Sequence, residues 1–296
     1  MRLRVLLFAF IWATAARHEG PQTPTIRADV NLVQLSVRVT DRTGRNVAGL
    51  QKEAFSLFVD DVGMPISHFQ SEDAPVTAGI IVDNSASMAA KRDEVIAAAM
   101  AFAKASNPSD HMFVVHFNDH SRFGLPNGMP FTSRIPELEA AVSRFQLGGT
   151  TALYDAIMLA RTRFDAAAYG RRVLLVITDG GDNSSQADFA EVLSAVLSDG
   201  AVIFAIGVFD QADKYTNPGL LSRLAQATGG EAYFPAAINE IRPICEKIAA
   251  DVRGQYSIGF SGDTDGKFHR VRVTVSSPGA GELTARTREG YFAAKL

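Results

Sequence analysis

Four short runs, Val76 to Val82, His111 to Phe117, Arg172 to Thr178 and Ala201 to Val208, are apolar almost without a break. A strand with one face in water alternates apolar and polar residues, so an uninterrupted run of strand length predicts a strand covered on both faces. Helix-length stretches follow and separate these runs: Met88 to Ser106, Ile135 to Phe145, Ala152 to Ala168, Gln186 to Leu197, Gly219 to Ala227 and Ala237 to Val252. In the first of them Val95, Ala99 and Phe102 share one flank, with Lys91, Arg92 and Glu94 opposite. Strand and helix in turn predict an α/β fold, a three-layer, doubly wound and mostly parallel sheet wrapped by helices, over residues 74–252.

The ends read differently. Leu32 to Thr40 alternates strictly, with Val33, Leu35, Val37 and Val39 on one side and Gln34, Ser36 and Arg38 on a side expected to be wet. Phe55 to Val59, followed by a turn at Asp60-Asp61-Val62-Gly63, and Ile66 to Gln70 add two short strands. Tyr256 to Phe260, Phe268 to Val275 and Leu283 to Arg288 repeat the pattern at the other end. Neither group is large enough to bury a core alone. Residues 26–73 and 253–296 are therefore expected to meet in one small β-sandwich-like unit. Residues 1–15 have basic Arg2 and Arg4, an apolar run of about a dozen residues, and a small-residue end at Ala13-Thr14-Ala15. This predicts a secretory signal peptide, with the membrane touched only through that segment if it stays uncleaved, and a periplasmic, cell-surface or extracellular location. A formal net charge of -3 disfavours a nucleic-acid partner. The single Cys245 excludes an internal disulfide or a cysteine-held metal, and reads as a buried apolar filler.

Ligands of an open parallel sheet gather where strands end. Three such exits carry oxygen-bearing side chains: Asp83-Asn84-Ser85-Ala86-Ser87, Gly148-Gly149-Thr150-Thr151, and Thr178-Asp179-Gly180. Hard oxygen donors on one edge suit a small hard cation, Mg2+ foremost, with Mn2+ or Ca2+ as substitutes. These segments resemble von Willebrand factor type A domains, whose metal-ion-dependent adhesion site combines Asp-x-Ser-x-Ser with a Thr and an Asp from two later loops. The resemblance implies Asp83, Ser85, Ser87, Thr151 and Asp179 as metal ligands, with Thr151 chosen over Thr150 on register. It also implies a metal-dependent binding module of the cell envelope, no enzyme, whose ion takes an Asp or Glu from a protein partner. Ala86 stands where the family often has Gly. The flanks, with the ending Gly290-Tyr291-Phe292, resemble an exported acidobacterial group of related proteins.

Competing readings concern the same residues. Asp83, Ser85 and Ser87 would serve as helix caps, but capping leaves the other two exits unexplained. A Mg-dependent phosphatase-like hydrolase would need an acid two residues after Asp83, where Ser85 stands. A structural envelope protein with a relic site is the third reading. His111, His116 and His120 read as ordinary histidines, since spacing five on a strand separates His111 from His116. Asp182, Asn183 and Ser184 read as a solvated turn, and Asp155 as either an outer ligand or a helix-surface acid. Lys91-Arg92 and Arg171-Arg172 read as solvated charge pairs.

Overall fold

A computed structural model describes residues 31–71, 73–144, 147–209 and 217–295. The expected signal peptide at 1–15 lies outside these residues, as do positions 26–30 of the first β segment and Phe145. In chain order come β1 (Leu32–Thr40), β2 (Phe55–Val59), β3 (Val62–Met64), β4 (His68–Gln70), β5 (Thr77–Asp83), α1 (Arg92–Ala105), β6 (His111–Phe117) and β7 (Ser121–Phe123). They are followed by α2 (Ile135–Ser143), α3 (Leu153–Arg161), β8 (Arg172–Thr178), α4 (Phe189–Asp199), β9 (Val202–Gly207), α5 (Pro218–Ala227), β10 (Ala232–Tyr233) and α6 (Ile241–Arg253). The last strands are β11 (Tyr256–Ser261), β12 (Phe268–Val275), β13 (Thr284–Arg286) and β14 (Gly290–Phe292).

The central sheet has the order β10-β9-β8-β5-β6-β7, parallel except for the edge strand β7. Every residue of β5 is buried, as its apolar run requires of a strand in mid-sheet. Helices flank the sheet: α1 packs on α2 and α6, and α3 on α4. Ile80, Phe113, Leu175 and Phe204 of the sheet and Phe102, Leu138, Ile157 and Ile248 of the helices share one core. The mostly parallel α/β architecture agrees with the sequence reading. Two strands of the central sheet were not anticipated, β7 and β10, of three and two residues, too short to show a period. The first helical stretch begins as a 3-10 turn, Ala86–Lys91, because its leading residues serve the loop after β5, and the stretch after Ala152 ends in a second such turn, Thr162–Ala166. No helix among the described residues is long and apolar enough to cross a membrane.

Strands from both ends form two further antiparallel sheets, β13-β1-β11-β4 and β14-β12-β2-β3. Leu32 to Val37 pairs with Ser261 to Tyr256, and Phe55 to Val59 with Val275 to Val271. Their inward residues, among them Leu35, Val37, Phe55, Leu57, Tyr256 and Phe260, make a second core of the expected sandwich type. Two details differ from expectation. Asp60 and Asp61 adopt left-handed φ values of 46° and 63°, so the turn is only two residues long and Val62–Met64 returns as β3. Arg38, expected on a wet face, is buried, because Asp251 of α6 and Glu231 cover it and take its guanidinium.

Candidate metal centre

β5 lies between β8 and β6, so its last residue, Asp83, reaches the middle of the sheet's carboxyl edge beside the end of β8. Asp83 Oδ1 accepts the backbone N–H of Ser85 at 2.8 Å, folding the loop back on the strand, and Oδ2 accepts the Thr178 hydroxyl at 2.6 Å. The Oγ atoms of Ser85 and Ser87 lie 3.1 Å apart, and Ser87 Oγ donates to Asp179 Oδ1 at 3.0 Å. Side chains 92 positions apart in sequence thus meet directly. Ser85 begins the 3-10 turn without a side-chain cap bond, so capping does not account for these hydroxyls. Ala86, between the two serines, is exposed.

The loop at residues 148–151 is tied to the other two through its own backbone N–H groups. Gly148 N–H donates to Asn84 O at 2.9 Å, and Thr151 N–H donates to Asn183 Oδ1 at 2.9 Å. Gly149 has φ +80°, and a Cβ there would fall 2.3 Å from Asp119 Oδ1, so this turn requires glycine. Thr151 is buried and lines a cleft of about 270 Å³ together with Ser85, Ser87 and Asp179. Thr150 lines the same cleft but is exposed, and its hydroxyl donates to Ser184 Oγ at 3.0 Å. Asp182 and Asn183 lie in the turn expected after β8, Asn183 exposed, and they also tie it to the Thr151 loop: Asp182 Oδ2 accepts Tyr154 N–H at 2.9 Å while Asn183 holds Thr151. Asp155 accepts the N–H groups of Gln186 and Ala187, each at 3.0 Å, and so belongs to the support of this loop.

The electrostatics set a fit test for a cation. Asp83 and Asp179 are 2% and 1% exposed. Burial pushes the Asp83 carboxyl up to about 6, against hydrogen bonds from Thr178 and Ser85 that lower it, with nearby Asp179 adding to the rise. Two buried carboxylates joined through serine hydroxyls form a hard, oxygen-only donor set, and a divalent ion would relieve the cost of charging Asp83. The residues present fit such an ion. Among the described residues no group of three or more His, Cys, Asp or Glu is placed to hold a metal. A site here therefore depends on hydroxyl oxygens.

Sequence reasoning missed Lys91. Rather than sitting on a solvated face, its Nζ is buried, donating to Asp179 Oδ2 at 3.1 Å and to Val208 O at 2.9 Å. Arg171 is likewise buried, donating to Ala74 O and Val252 O, each at 2.6 Å. In both cases a carboxylate or carbonyl distant in sequence draws the cation inward. The histidines do not converge: His111 packs on Tyr169, His116 is buried between Asn84 and Ala141, and His120 is exposed.

Residues 79–244, more than half of the chain, match the von Willebrand factor type A domain. No curated protein matches the chain. Among solved structures, the fold is similar to a von Willebrand factor type A protein from Catenulispora acidiphila, at 15% identity over 83% of this chain and 76% of that one, with a TM-score of 0.56. It is also similar to proximal thread matrix protein 1 from the mussel byssus, solved with a zinc-occupied MIDAS motif, at 17% identity over 66% of this chain and 49% of that one, with a TM-score of 0.52. This chain thus spans about half the length of the mussel protein. Sequence match, sheet order and flanking helices agree: the chain belongs to the von Willebrand factor type A domain family.

Proposed function

We propose that this protein is an exported, metal-dependent protein-binding module of the cell envelope, serving adhesion or assembly rather than catalysis. Domains of its family are often metal-dependent protein-interaction modules. In this reading Asp83, Ser85, Ser87, Thr151 and Asp179 hold one divalent cation, Mg2+ or in its place Mn2+ or Ca2+. Bound there, the ion supplies a positive centre that accepts an anionic oxygen, such as an Asp or Glu side chain of a partner protein. The observation that carries the reading is the convergence of three separate loops on one cleft, with Ser87 bonded to Asp179 across the site. The zinc-occupied motif of the mussel byssus protein supports it by likeness of fold.

The chain's own groups fit that role. Three of the five donors are neutral hydroxyls, so a bound divalent ion keeps part of its charge for an outside ligand. Asn183 and Asp182 fix the Thr151 loop, and Thr178 fixes one oxygen of Asp83, leaving the donors pre-positioned. A hydrolase of the phosphatase type lacks its second acid, because the Ser85 hydroxyl occupies that place and bonds to Ser87. Export rests on residues 1–15 and the flanking β segments on the same reading, with 26–73 and 253–296 framing the domain at 74–252. Calorimetric titration of the mature protein with Mg2+ and Mn2+ tests the proposal. Saturable binding that Asp83→Ala abolishes is expected; equal, absent heats in both proteins would refute it.

A further inference from the structure

Lys91 occupies an unusual place for a lysine. It is the last residue of the 3-10 turn that follows Ser85, yet it is only 9% exposed. Its ammonium joins three elements, the turn itself, Asp179 after β8 and the carbonyl of Val208 after β9. Asp179 therefore has both oxygens engaged, Oδ1 by Ser87 and Oδ2 by Lys91. Neighbouring Arg92 is turned elsewhere, donating to Ser143 O at 2.6 Å. Among the described residues the candidate centre contains two buried carboxylates, Asp83 and Asp179, and one buried ammonium, so Lys91 offsets part of their negative charge.

Charges this close and this poorly solvated interact strongly, and a fixed ammonium opposes the arrival of a second cation beside the same carboxylate. It also favours an anion near that cation. We propose that Lys91 is a resident positive charge of the centre, which weakens the chain's own hold on a divalent ion and makes tight binding depend on a carboxylate brought by the partner. The inference rests on the metal-centre reading above and deepens it: ion and partner carboxylate bind as a coupled pair, each raising the affinity of the other by the same factor. A partner with a neutral contact residue would then leave the ion loosely held.

Mn2+ binding tests this, by calorimetry and by the shift in thermal unfolding midpoint, in chloride buffer with and without sodium acetate as a stand-in for an Asp or Glu side chain. The proteins are the wild type, Lys91→Gln, which removes the charge but keeps a donor, and Lys91→Arg, which keeps the charge. Acetate is expected to raise wild-type Mn2+ affinity about tenfold, and Lys91→Arg to keep that pattern. In Lys91→Gln, Mn2+ affinity without acetate is expected to rise about tenfold, with the acetate effect falling within about twofold. If Lys91→Gln is unfolded without metal, Mn2+ must restore its unfolding transition, because the ion then replaces the ammonium beside Asp179. Equal affinities and equal acetate effects in wild type and Lys91→Gln would overturn the inference, as would failure of Mn2+ to restore an unfolded variant. Absence of Mn2+ binding by the wild type under both conditions would instead overturn the metal-centre reading on which it rests.

Discussion

His116 shows how single residues support the first loop from beneath. It is 1% exposed, its Nδ1 accepts from Asn84 Nδ2 at 2.9 Å, and its Nε2 donates to Ala141 O at 2.7 Å, a set of partners that only the neutral ring satisfies. Burial pushes its pKa down to about 4, below the ordinary 6.5. The unfolded chain therefore takes up a proton between pH 6.5 and 4 that the native state refuses, and the stability held above pH 6.5 is lost on acidification, by about 3 kcal/mol at pH 4. Asp83 and Asp110, each pushed up to about 6 by burial, act in the opposite sense, so the contribution has to be read as a difference. Urea unfolding of wild type and His116→Gln from pH 7 to 4 is expected to show the gap between them narrowing by that amount. A gap independent of pH would contradict the assignment. The Asp-x-Ser-x-Ser loop was legible in sequence because its bonds are local, Ser85 N–H to Asp83 two residues back. Lys91 was not, since a lysine beside an arginine reads as surface until a carboxylate 88 positions away is brought to it.

Between elements, a cluster of charged side chains joins β1 of the sandwich to α6 of the central unit. Arg38 donates to Asp251 and, at 2.6 Å, to Glu231, while Asp251 also accepts from Asn46 at 2.9 Å and Lys247 at 2.7 Å. Removing one partner of a buried ion pair leaves the other charge poorly compensated, which costs more than the pair itself contributes. Arg38→Met is expected to lower unfolding free energy by about 3 kcal/mol, the low end for such a deletion because Lys247 and Asn46 remain. A loss below about 1 kcal/mol in urea unfolding would show the pair to be solvated in solution. The buried strands of the central sheet were readable because covered strands must be apolar throughout. The inter-element pair was not, because alternation in β1 reports which side faces the sandwich core and says nothing of a second layer over Arg38.

In the whole molecule, the sandwich is closed by strands from opposite ends of the chain, β1 against β11 and β2 against β12. That both ends carry period-two strands was plain in sequence, and the need of each for a partner predicted their meeting; the register was not, since it depends on turns such as Asp60-Asp61. A chain ending at Arg253 leaves β1 without a strand partner and β2 with β3 alone, and exposes Leu35, Val37 and Leu57. It is expected to bind a hydrophobic dye and lose cooperative unfolding of this part, whereas a soluble, dye-negative truncation with an unchanged midpoint would contradict the shared core. The same architecture gives the proposed ion its place, because the loops after β5 and β8 meet the Thr151 loop at the carboxyl edge of the central sheet. Anomalous scattering from a crystal soaked in manganese tests this most directly. One peak is predicted in the cleft between Ser85, Ser87, Thr151 and Asp179, absent from Asp83→Ala crystals; a map without that peak, with Ser87 still bonded to Asp179, would contradict the account.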